Sequence, residues 1–159
     1  RDRYEGTRIA TMADWESIKR ILEPLVANGA VIARSDEQLI DEVCKNYFHV
    51  TERDGKVIAC CALKPCGNAP DAHEVAAFAV SPEYRRGGRG DALLEYAENY
   101  ACETLATSRL FLLTTRTADW FVQRGFENKG LAENNPELPP GKSVQSGRGS
   151  VLFVKYLDR

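Results

Sequence analysis

A chain of 159 residues, 43% hydrophobic and 28% charged, is long enough to bury one substantial core and is neither disordered nor fibrous in composition. The formal net charge of -2, with Lys and Arg spread along the chain, excludes recognition of nucleic acid or a membrane surface through overall charge. No run approaches the ~18 to 20 apolar residues of a membrane span, so one globular domain over residues 1–159 is expected.

The start, Arg1 to Tyr4, is charged and lacks signal-peptide character, and the absence of an initiating Met points to sequence upstream. Thr7, Arg8, Ile9, Ala10 and Thr11 alternate like a short strand. Trp15, Ile18, Ile21, Leu22 and Leu25 then recur at helical spacing until Asn28-Gly29. Ser35-Asp36-Glu37-Gln38 is a capping box ahead of Leu39, Ile40 and Val43, which predicts a second short helix. Residues 47–52 and 57–63 are β-branched and aromatic runs joined around Asp54-Gly55, a strong hairpin signal.

Residues 65–72, rich in Pro, Gly and Asn, break the pattern, and residues 74–80 read as a strand buried on both faces. From Asp91 the longest helix carries Leu93, Leu94, Ala97, Tyr100, Ala101 and Leu105 on one face. Residues 110–113 predict another buried strand, 118–124 a short helix closed by Gly125, and 151–156 a terminal strand. Residues 133–149 read as a loop. This order of elements gives an α/β (α+β) sheet with helices on its faces.

Five cysteines, Cys44, Cys60, Cys61, Cys66 and Cys102, form no repeated CxxC spacing, and three lie in or beside apolar runs, so reduced thiols in an intracellular compartment are expected. His49 and His73 are the only histidines and neither has ligand spacing to a second His or a paired Cys. No metal site is expected.

The informative stretch is Arg85-Arg86-Gly87-Gly88-Arg89-Gly90, set between a buried strand and the longest helix. Glycines let backbone amides converge, a helix N-terminus adds partial positive charge, and three arginines stand beside them, which together suit a pyrophosphate. An isolated run of this kind would be a solvated turn. The strand before it and the amphipathic helix after it favour a phosphate cradle.

The segment resembles the (Gln or Arg)-x-x-Gly-x-(Gly or Ala) pattern of GNAT acetyltransferases at Arg85, Gly88 and Gly90. The resemblance implies the acyl-CoA N-acyltransferase fold, a central mixed, mostly antiparallel sheet flanked by helices, with acetyl-CoA (CoA) on this loop. Further phrases are similar to the acetyltransferase domain of bacterial and plant N-acetylglutamate synthase. They are Ile32-Ala33-Arg34-Ser35 with Glu37-Gln38-Leu39, the run Val57-Ile58-Ala59-Cys60-Cys61-Ala62-Leu63, Glu74-Val75-Ala76, and a string from Leu110 through Thr114, Arg116, Asp119, Trp120 and Phe121 to Arg124-Gly125-Phe126.

That likeness implies acetylation of the α-amine of L-glutamate, the entry step of arginine and ornithine synthesis. It further implies Glu74 as general base acting through water, and backbone amides of Phe78, Ala79 and Val80 on pantetheine and the thioester carbonyl. Val122 stands where many GNATs place a Tyr acid, and the family's substitute, a hydroxyl on the fifth strand, falls on Thr114. Arg34, Arg148 and Ser150 match glutamate-binding positions. Lys142 is the one cation of residues 133–147, a segment acidic at first and then rich in Pro and Gly where the family is basic and helix-like.

Two other readings stay open: a different amine acceptor, and a non-catalytic GNAT-fold subunit of a larger assembly. The resemblance also implies an upstream amino-acid kinase domain and a chloroplast, mitochondrial matrix or bacterial cytoplasmic location, and a homo-oligomer is the alternative partner.

Overall fold

The computed structural model describes residues 4–157, so the charged start at residues 1–3 lies outside it. Seven strands form a mixed sheet: β1 (Glu5–Ile9), β2 (Phe48–Arg53), β3 (Lys56–Cys66), β4 (Ala69–Val80), β5 (Arg109–Thr114), β6 (Glu127–Leu131) and β7 (Val151–Tyr156). Their spatial order is β1-β2-β3-β4-β5-β7-β6. The β4–β5 ladder is parallel, whereas β1–β2, β2–β3, β5–β7 and β6–β7 are antiparallel. The helices are α1 (Trp15–Ala27), α2 (Asp36–Cys44), α3 (Arg89–Glu103) and α4 (Asp119–Val122). No helix among the described residues is long and apolar enough to cross a membrane.

The chain divides into two compact units, and β3, β4 and α3 run from one to the other. The first comprises the chain up to Leu63 with Ala77–Glu98. Here Asp54 and Gly55 both take positive φ (48° and 86°), the twist that a two-residue hairpin needs to join β2 to β3. Ser35 caps α2 reciprocally: its Oγ accepts from Gln38 N–H at 3.1 Å and its own N–H donates to Gln38 Oε1 at 2.9 Å. Ile18, Val43, Phe48, Val50, Ile58 and Leu93 are fully buried in this unit.

His49 is buried with them, its ring edge-on to Tyr96 at 5.3 Å between centroids, and burial pushes its imidazole down to about 4. The unfolded state therefore binds its proton more readily than the folded state. The stability carried by neutral His49 is fully present above about pH 6.5 and is lost as pH falls towards about 4, by as much as ~3 kcal/mol. Urea midpoints at about pH 7 and pH 4.5 should diverge in the native protein and draw together in His49→Phe. Equal divergence in both proteins would exclude His49 as the cause.

The second unit comprises Lys64–Ala76 and the chain from Asn99 on. Its core is Cys66, Ala69, Ala72, Phe111, Ala132, Leu152 and Val154, with Leu138, Val144 and Leu113 packed against it. Two of those residues, Leu138 and Val144, belong to the segment expected to be a loop. It has no regular element, yet it is pinned by apolar side chains.

Three expectations need correcting. Residues 65–72 do not break the sheet: β3 continues to Cys66 and β4 begins at Ala69. Pro65 is tolerated because the β2–β3 ladder ends at Phe48 with Ala62, so its missing N–H removes no bond to β2. Strand β6 was not anticipated, since Glu-Asn-Lys-Gly-Leu carries almost no apolar signal at the edge of a sheet. Finally, β4 is not buried on both faces: Val75, Ala77 and Ala79 are buried, while Glu74, Ala76, Phe78 and Val80 are half-buried.

Candidate active site

The loop at residues 85–90 belongs to the first unit and follows a 3-10 turn, Pro82–Tyr84. Gly87 and Gly88 sit at φ 84° and 73°, a backbone that only glycine adopts without strain, and α3 starts immediately afterwards. The Ala92 N–H donates to the Gly88 carbonyl at 3.0 Å, so the glycine turn leads directly into the helix. Arg85, Arg86, Gly87 and Gly88 are exposed, and Arg89 and Gly90 are half-buried. Arg85 Nε donates to the Val80 carbonyl at 3.1 Å, tying the loop to the end of β4. Arg89 is turned towards β1, where its Nε and Nη2 donate to the Glu5 carboxylate.

Within β4, Ala77 adopts φ 51°, a left-handed conformation for a non-glycine residue, and its carbonyl accepts from the Cys60 thiol at 3.5 Å. A kink of this kind re-aims the backbone that follows it, here Phe78, Ala79 and Val80. Cys60 is fully buried and its thiol is pushed up to about 12 by burial; the neighbouring Cys61 is raised for the same reason. Neither is a nucleophile at neutral pH.

Arg34 lies between α1 and α2 in the same unit. Its Nε donates to Glu42 Oε1 at 2.6 Å, and its guanidinium lies 5.9 Å from the Phe48 ring centroid. The side chains of this pair are only 16% and 10% exposed, so the arginine is held in one place. Sequence reasoning missed Glu42, although a carboxylate within the buried set Leu39, Glu42 and Val43 of α2 was a signal that it must face a cation.

Glu74 lies on β4 in the second unit. It is registered against Phe111 of β5, and its Oε1 accepts from Lys142 Nζ at 2.7 Å, with side-chain exposures of 12% and 26%. Just before Lys142 its loop is tied to the end of β3 and closed by a turn. The Cys66 thiol donates to the Pro140 carbonyl at 3.2 Å, and Lys142 N–H donates to the Pro139 carbonyl at 3.1 Å. Between them Gly141 has φ 88°, and a Cβ there would come 3.1 Å from the Asn68 backbone nitrogen, so no other residue fits without displacement.

Thr114 ends β5 and is half-buried; its Oγ1 accepts from Arg116 N–H at 2.9 Å. A hydroxyl that accepts an amide proton keeps its own proton to donate. Arg148 and Ser150 are half-buried just before β7, where the Ser150 carbonyl accepts from Ala132 N–H at 2.8 Å. His73, beside Glu74, shares a 2.6 Å hydrogen bond with Thr107 Oγ1 and is held below its ordinary pKa by burial. Among the described residues no group of three or more His, Cys, Asp or Glu side chains could hold a metal ion.

A mixed seven-stranded sheet, a kinked fourth strand and a glycine turn opening the long helix define a class of acyl-CoA-dependent transferase folds. The chain belongs to the acetyltransferase (GNAT) family, whose model matches residues 14–126. It is 44% identical over 158 residues, 98% of its length, to an amino-acid acetyltransferase of Azotobacter vinelandii. It is also similar to N-acetylglutamate synthase from Neisseria gonorrhoeae complexed with coenzyme A and N-acetyl-glutamate, with 33% identity and a TM-score of 0.85, covering 100% of this chain and 36% of that one. Rv2747 from Mycobacterium tuberculosis, solved in complex with CoA, is 25% identical with a TM-score of 0.75, covering 96% of this chain and 99% of that one.

The chain thus spans about a third of the length of the curated relatives it matches, 35% of the Azotobacter protein. These relatives are bacterial, which gives no support to the organellar location implied by plant-like phrases.

Proposed function

We propose that this chain, as a single acetyltransferase domain, transfers the acetyl group of acetyl-CoA to the α-amine of L-glutamate. The observation that carries the reading is the pair of left-handed glycines, Gly87 and Gly88, at the mouth of α3, a cradle for the CoA pyrophosphate. Arg85, Arg86, Arg89 and Gly90 complete it. The half-buried face of β4 with Phe78 and Val80, joined by Ala79, gives pantetheine an apolar surface and amides for the thioester oxygen.

Glu74 takes the proton of the acceptor ammonium through a water, and Thr114 gives one to the departing sulfur. Arg34, Lys142, Arg148 and Ser150 are the residues that likeness to the family assigns to the two acceptor carboxylates. Direct attack without a covalent acyl-enzyme is favoured, because the buried thiols are held far from their ionised form. An upstream amino-acid kinase domain or a second copy of the chain is the macromolecular partner this reading expects, and no nucleic acid or membrane enters it.

A different amine acceptor is favoured by one observation: Arg34 is already neutralised by Glu42, and Lys142 by Glu74. A thiol-release assay across amino acids, with acetyl-CoA saturating, separates the two readings. Glutamate should be the preferred acceptor; equal rates with monocarboxylic amino acids would replace it. Lys142→Met should raise KM for glutamate about tenfold while Kd for CoA stays unchanged. An unaltered KM would remove Lys142 from the acceptor's contacts.

A further inference from the structure

Each of the three nitrogens of the Arg89 guanidinium donates to an acceptor in this unit. Nε lies 3.3 and 3.2 Å from the two Glu5 oxygens, Nη2 lies 3.1 Å from Oε1, and Nη1 donates to the Arg86 carbonyl at 3.0 Å. The Tyr84 ring lies beneath it, 5.3 Å from centroid to guanidinium carbon. Glu5 is itself anchored, because Arg53, its partner in the β1–β2 register, donates Nη1 to Oε1 at 2.8 Å. The hydrogen bonds of Arg89 and then Arg53 hold the Glu5 carboxyl below its ordinary pKa.

The consequence lies in the peptide between Arg86 and Gly87. A trans peptide carries its C=O and the next N–H on opposite sides. Holding the Arg86 carbonyl on Arg89 therefore sets the direction of the Gly87 amide, at a glycine whose own torsions would leave it loose. Arg89 acts on the cradle by shaping it, and the shape is referred back to strand β1 through Glu5, a position outside the span that the family model matches.

We propose that Glu5 is a positioning residue for the diphosphate of the cofactor, acting through Arg89 on the Arg86–Gly87 peptide; this rests on the acetyl-CoA reading above. Replacing Glu5 by Gln keeps the side chain's size and removes its charge. Kd for CoA, measured by isothermal titration, should rise about tenfold in Glu5→Gln. kcat at saturating acetyl-CoA should stay within about twofold of the native value, and kcat/KM for acetylpantetheine, which lacks the diphosphate, should not change.

Arg89→Lys, which keeps the charge and loses the fork, should weaken CoA to the same degree and serves if Glu5→Gln does not fold. The double variant should be no weaker than either single one. If the native chain does not bind CoA, the acetyltransferase reading itself fails. If it does, and Glu5→Gln binds CoA equally or more tightly, or loses CoA and acetylpantetheine alike, Glu5 has no positioning role.

Discussion

Glu74→Gln is expected to lower kcat about 10²- to 10³-fold and to leave Kd for CoA unchanged. The substitution keeps the volume and one acceptor oxygen for Lys142, whose Nζ lies 2.7 Å from Glu74 Oε1, so the anchored loop has no reason to move. What it removes is the negative oxygen that receives a proton. Lys142, in turn, keeps a partly buried carboxylate from standing alone, and an anionic acceptor offers that lysine an alternative partner. Steady-state rates with saturating acetyl-CoA, together with a CoA titration, decide the matter. A variant as fast as the native chain would take the base role from Glu74, and a parallel loss of CoA affinity would make its role structural.

The second large effect is expected at Gly88. A Cβ there would meet no atom within 4 Å, so steric crowding is absent and the substitution reports on backbone alone. At φ 73° a β-branched residue is strained by ~1–3 kcal/mol, and the chain relieves that strain by leaving the left-handed region. Gly88→Val should therefore raise Kd for CoA about ten- to hundredfold, with a far smaller effect on kcat/KM for acetylpantetheine. Unchanged affinity for CoA would mean that the torsions of Gly88 do not shape the binding loop.

The hairpin around Asp54-Gly55, the capping box at Ser35 and the glycine turn before α3 were legible because each is written in local residues whose backbone preferences admit few conformations. Strand β4 was legible as a strand and misread as to burial. An apolar run is the same whether its second face meets a helix or is left half open, and here Ala76, Phe78 and Val80 alternate with buried Val75, Ala77 and Ala79. Strand β6 left almost no trace, for its pairing with β7 is a backbone matter and its side chains are polar.

The side-chain pairings were the least readable. Arg89 with Glu5 spans 84 positions and Lys142 with Glu74 spans 68, and no periodicity encodes contacts at that range. Arg34, Arg148 and Ser150 were named through likeness to a family. What the structure adds is the carboxylate of Glu42 that holds the first of them. The segment before β7 was read from composition as a loop, and it has no strand or helix. Leu138 and Val144 nevertheless dock it on a buried cluster, and Gly141 closes it against Asn68, so its Pro and Gly content reflects a fixed path.

The most direct measurement is a pair of equilibrium titrations of this chain, one with CoA and one with pantetheine. The glycine turn at the start of α3 predicts saturable CoA binding at least about a hundredfold tighter than pantetheine, with the difference shrinking as salt is raised. CoA binding no tighter than pantetheine, or none at all, would contradict a diphosphate seat at residues 85–90.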